Sequence, residues 1–146
     1  MTEVGLTGAG GRESERAGRR SVLGLRIPAD AGCSVSLTTL RLTASALSDA
    51  IGGGLLEDAL VGDVGGWGYT IYLDEHRVAK GLPRNGRAAV LAARLGHVNR
   101  AWLADLRGDV LVLGCDGRLD DVSVPGCVVE AADRSGLTVQ PVGAER

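Results

Sequence analysis

Phenylalanine is absent from the chain, lysine occurs once, at Lys80, and only two Trp and two Tyr stand among 146 residues. A core with so few rings must be built from Val, Leu, Ile and Ala, which bury less area per side chain than aromatics do. Cysteine is also scarce. Cys33, Cys115 and Cys127 are widely separated and lack the C-x₂-C spacing of a zinc site. An odd, scattered set implies free thiols, expected as small buried apolar residues. Long hydrophobic runs are missing too. The apolar runs extend about half a dozen residues, where a membrane-spanning helix needs roughly 20. No apolar signal core stands near the N-terminus, so the expected compartment is the cytoplasm and no membrane partner is expected. Positive charge is not in excess. Sixteen Lys and Arg face 18 Asp and Glu, a net charge of −2, which argues against general nucleic-acid binding. Neither a G-x-S-x-G elbow nor a G-x-x-x-x-G-K-[ST] loop is present, which disfavours the chemistries those motifs carry.

Glycine, by contrast, is abundant at 23 residues, many of them between short apolar runs where turns are needed. Residues 1–20 are polar and Gly-rich without apolar periodicity and are expected to form a disordered tail. Residues 21–141 fit a single domain, and 142–146 a frayed end. Val22 to Ile27 predicts a strand closed by Pro28, followed by a turn over 29–32 and a second strand over 33–37. Thr43 or Ser45 can cap a helix carrying Leu47, Ala50 and Ile51, stopped by Gly52-Gly53-Gly54. Leu55 to Val61 predicts a strand, and Gly65 to Gly68 a loop. Thr70–Leu73 and Arg77–Ala79 predict a hairpin across the polar turn Asp74-Glu75-His76. Asn85 caps a helix with Ala88, Leu91, Ala92 and Leu95 on one face. A short helix over 99–106, a central strand over 110–113 and a weaker strand or loop over 120–124 follow. A helix from Pro125 and an edge strand at Leu137–Val139 complete the order. Clustered strands with inserted helices predict an α+β fold with a mixed or largely antiparallel sheet and three to four short helices.

The one point with a binding mechanism is Arg84-Asn85-Gly86-Arg87. A first helical turn leaves N–H groups unpaired, and two guanidiniums flank it, so a small anion is the expected ligand. Trp67, in Gly66-Trp67-Gly68, is a candidate rim residue. Glu75 and His76 are the candidate bases if the protein is an enzyme on a phosphate- or carboxylate-bearing substrate. Adjacent turn residues diverge, however, and cannot form a working set among themselves. The acidic pairs Asp120-Asp121 and Glu57-Asp58 lack the spacing of a calcium loop, so no metal is expected.

These segments resemble the uncharacterised domain-of-unknown-function family 3846, met in actinobacteria, phages and conjugative elements. The resemblance is carried by Ile27-Pro28-Ala29-Asp30, Gly52-Gly53, Tyr72-Leu73-Asp74-Glu75, Leu82-Pro83-Arg84-Asn85 and Gly108-Asp109-Val110-Leu111-Val112-Leu113-Gly114. It spans roughly residues 22–135. The segment from Gly96 to Asp105 is longer than the family's usual link, and Ala89 replaces a Thr. The resemblance supplies no reaction. It places Asn85 and Glu75 in the family's most recognisable segments and implies an accessory role linked to phages or mobile elements. The reading is a non-enzymatic binding protein without cofactor, its site formed by Arg84, Asn85, Gly86, Arg87, Glu75 and Trp67. The ligand is a small anion or a protein partner. The alternatives are the enzyme above and a structural module that oligomerises through an edge strand.

Overall fold

A computed structural model describes residues 20–143. The expected tail lies outside the described residues except for Arg20, as do the last three residues of the expected frayed end. The first strand, β1 (Ser21–Ile27), alternates Leu25 and Ile27 on one face with Val22 on the other, and Pro28 ends it. It pairs antiparallel with β2 (Ser36–Arg41). Helix α1 (Ala44–Ala50) starts at Thr43, whose hydroxyl accepts from the Ala46 N–H. Strands β3 (Leu56–Val64) and β4 (Trp67–Asp74) form a hairpin across Gly65-Gly66, both with positive φ. Helices α2 (Gly86–Arg94) and α3 (Arg100–Ala104) then lead to β5 (Val110–Cys115), the two-residue β6 (Asp121–Val122) and α4 (Gly126–Arg134).

The sheet order is β2-β1-β5-β4-β3, with β6 on β5 and every strand pair antiparallel. The α+β class with a largely antiparallel sheet and four short helices therefore stands, and β5 is central as its unbroken apolar run requires. Its Val110 and Val112 face a core shared with Leu91 and Ala92 of α2 and Val128 and Ala132 of α4. Leu111 and Leu113 face the other side, where Leu47 and Ala50 of α1 and Ile51 just after it cover them. At the far end of β5 the chain turns back over Gly114 so closely that a Cβ there would collide with the Ser123 carbonyl.

Four local expectations are overturned, the first being the loop over Gly65–Gly68, of which only Gly65-Gly66 is a turn while Trp67 and Gly68 belong to β4. Arg77–Ala79 does not pair with β4; residues 75–81 run through successive turns, and the partner of β4 is the preceding strand β3. The second strand begins at Ser36 and not at Cys33, because Asp30 closes a turn by accepting from the Gly32 and Cys33 N–H groups. Leu137–Val139 is not a strand; only Gln140 makes a single parallel bridge, to Ser36. The later start of β2 leaves Cys33 exposed in the β1–β2 loop; Cys115 at the end of β5 and Cys127 in α4 are partly buried, so none of the three is a core residue. All three thiols are free.

Tyr69 and His97 tie β4 to the end of α2, with the phenol oxygen 2.6 Å from Nε2. Gly62 opposite leaves room, since a Cβ there would meet the ring hydroxyl. Burial holds the imidazole below its ordinary pKa of 6.5, which favours the neutral ring beside the phenol. In the unfolded chain the ring binds a proton more readily than in the folded one. Folding stability is therefore expected to fall as pH drops below about 6.5 and through the folded pKa. Urea unfolding at successive pH values tests this: the decline should be present in the wild type and weakened in His97→Gln. Equal pH profiles for the two would rule it out.

Candidate functional site

Three segments distant in sequence meet where α2 begins. Asn85 is 1% exposed and makes the junction. Its Oδ1 accepts from the Ala88 N–H at 3.0 Å, and its Nδ2 donates to the carbonyls of Ile27 at 2.8 Å and Gly108 at 2.9 Å. Its own N–H donates to Leu106 O, and the Gly108 N–H to Pro83 O. Arg107 Nη1 reaches Leu82 O. Asp109 accepts from the Ala29 N–H and from Arg26. Segments 27–30, 82–85 and 107–109 are thus knotted together. Asn85 is committed within this knot on both its acceptor and donor sides. It fixes the direction of the helix and has no donor left for a ligand.

The groups that remain available come next in the chain. Asn85 satisfies Ala88, and the Ala89 N–H reaches Asn85 O, which leaves the Gly86 and Arg87 N–H groups without a partner among the described residues. Arg87 Nη2 donates to Pro28 O at 2.7 Å and to Asp30 O at 2.9 Å. The guanidinium is held in place, with Nε and Nη1 uncommitted among the described residues. It lines an open cleft of about 200 Å³ together with Gly32, Cys33, Ser34, Thr138 and Gln140. Thr138 sits at φ 47, a left-handed conformation that β-branched residues rarely adopt. Neighbouring backbone bonds, Gln140 N–H to Val35 O and Leu37 N–H to Gln140 O, hold the segment there. A cleft lined by a fixed guanidinium, hydroxyls and a carboxamide is chemically suited to a small anion.

The other sequence-predicted residues are distributed differently. Arg84 is exposed, and its backbone bridges to Arg107 beside the knot. Glu75 follows β4 at the same end of the sheet, exposed, with no side-chain hydrogen bond among the described residues. His76 is exposed as well, and neither is joined to Arg87. Trp67 lies at the opposite end of β4. Seven steps of roughly 3.3 Å separate it from Asp74, so it forms no rim for the helix start.

A second cluster escaped the sequence reading. Arg77 is largely buried and its guanidinium joins four groups. Nε donates to Asp105 O and Nη2 to Asp105 Oδ2, both at 2.7 Å. Nη1 reaches Glu57 and Asp74 O. Beside it Lys80 Nζ lies 2.5 Å from Asp74 Oδ2. Burial alone would raise the Asp74 carboxyl, but the Lys80 ammonium and the His76 N–H outweigh it and hold its pKa below the ordinary range. Local pattern gave no sign of this, because Arg77 stands in a polar turn. Among the described residues no group of three His, Cys, Asp or Glu side chains is placed to hold a metal ion, and no helix is long and apolar enough to cross a membrane.

Comparison of the chain with protein-family models, curated proteins and solved structures found no match.

Proposed function

We propose that this protein is a non-catalytic binding protein whose ligand is a small anion, held between the first turn of α2 and the β1–β2 loop. The observation that carries the reading is the fixed Arg87 guanidinium, anchored on Pro28 O and Asp30 O at the edge of a polar cleft. Gly86 and Arg87 supply N–H donors at the positive end of the helix dipole. Arg84 adds long-range attraction from solvent, and Asn85 positions the turn. An enzymatic role for Glu75 or His76 has less behind it, since neither is joined to this cleft. The relation to the domain-of-unknown-function family 3846, and through it a role in phage or mobile-element biology, belongs to the same proposal. It is supported by the meeting of three resembling segments in one knot. A family member whose structure lacked that knot would remove it.

Thermal unfolding against phosphate, pyrophosphate, nucleotides, sugar phosphates and simple carboxylates tests the site. A ligand at 100-fold its Kd adds about 2.7 kcal/mol, which moves the midpoint of a domain this size by several degrees. Gly86→Pro is the discriminating variant. Proline is accepted at the first helical position, nothing lies within 4 Å of a Cβ there, and Asn85 already lies outside the α region that a following proline disfavours. The variant should fold as well as the wild type or better by about 0.5 kcal/mol, while losing one donor to the anion. A reduced ligand shift in a stable Gly86→Pro, and none in Arg87→Ala, is the expected result. A wild type indifferent to every anion tested would overturn the reading.

A further inference from the structure

Both tryptophans of this aromatic-poor chain stand on the surface, Trp102 at 59% and Trp67 at 65% exposure, while the cores are almost wholly aliphatic. Trp102 borders a cleft of about 190 Å³ with Glu57, Leu60, Arg77, Asp105 and Leu106. This cleft lies along β3, which ends the sheet: among the described residues its outer edge pairs with nothing. Glu57 and Asp105 each engage Arg77 through one oxygen, Oε1 and Oδ2. Their other oxygens have no partner among the described residues, and both side chains are over two-fifths exposed. Asp58 and Asp63 extend the negative charge along the exposed strand.

We propose that the β3 edge and the Trp102 cleft together receive an extended, arginine- or lysine-bearing segment of a partner protein. An unpaired strand offers N–H and C=O groups that a peptide can continue as one more strand. A cationic side chain of that peptide entering the cleft meets the free carboxylate oxygens of Glu57 and Asp105 and the Trp102 indole beside them. The charge on the strand selects this occupant over a second copy of the chain. With Ala59 bulged out of the ladder, antiparallel self-pairing centred on Val61 sets Asp58 against Asp63, a repulsive contact. The register shift between Asp58 and Leu60 further disturbs a regular homotypic ladder.

The experiment is fluorescence anisotropy of a labelled, end-blocked peptide alternating Arg and Thr, titrated with the full chain at low and moderate salt. Binding that weakens with salt is expected, and weaker still with Glu in place of Arg. Trp102→Ala, and separately Asp58→Lys with Asp63→Lys, change exposed side chains, and each should weaken the interaction on the order of tenfold or more. Hydrogen exchange should show the outward amides of β3 protected by the peptide. Equal binding of the acidic peptide would overturn the proposal, as would indifference to both sets of substitutions or no binding up to millimolar protein. A dimer in sedimentation whose outward β3 amides are already protected from exchange without peptide would overturn it as well.

Discussion

Replacing Asn85 by Ala is expected to cost about 4 kcal/mol, a large fraction of the stability of a domain this size. The loss has separable parts. The Ala88 N–H loses its cap, worth about 1 kcal/mol. The Ile27 and Gly108 carbonyls lose their shared donor in a site closed to solvent, and each unsatisfied group costs about 1–3 kcal/mol. Urea unfolding measures the sum. Asn85→Asp should be no better at neutral pH, because it keeps the cap but sets a negative charge against two carbonyl oxygens. It should regain stability on acidification, when a protonated carboxyl can donate to one of them. A loss under about 1 kcal/mol in Asn85→Ala would mean that the knot relaxes freely and does not fix the helix.

Arg77→Met should cost about 3 kcal/mol. Burial makes the guanidinium more than a surface ion pair: it is the donor for Asp105 O and Asp74 O and the counter-charge for Glu57 and Asp105. The two carboxylates are 42% and 44% exposed, so they rehydrate and limit the loss. Arg77→Lys should recover only a minor part, since an ammonium cannot reproduce the planar fork that reaches β3, the end of β4 and the end of α3 together. Urea midpoints of the three proteins check the order wild type, Lys, Met. A lysine variant as stable as the wild type would show that charge alone matters there.

The fold was largely legible because local signals agreed with tertiary packing. Alternation marked β1, an unbroken apolar run marked β5, and Thr43 and Asn85 marked helix starts through their side-chain oxygens. The error at residues 70–79 has a physical source. Four polar residues between apolar runs imitate a hairpin, whereas the true turn is the Gly65-Gly66 dipeptide one strand earlier. What bends the chain after β4 is Arg77 gathering acceptors from residues 57, 74 and 105, and such long-range partners leave no mark on local sequence. The site was legible in part for the same reason. Arg84 through Arg87 announce a helix start with charge beside it. That Asn85 is wholly occupied, and that Arg87 is fixed beside a cleft made by Ser34 and Thr138, depends on contacts across the fold. Trp67 was misplaced because sequence proximity to the Tyr69–Asp74 strand does not say which end of the sheet a residue occupies.

Anion binding at the start of α2 is tested most directly by nitrogen–proton correlation spectra of the full chain titrated with pyrophosphate. Saturable shifts should concentrate on the amides of Gly86, Arg87 and Ser34 and on the Arg87 side chain, and should weaken in Gly86→Pro. Shifts that fail to saturate, or that gather around other arginines while those amides stay still, would contradict the site.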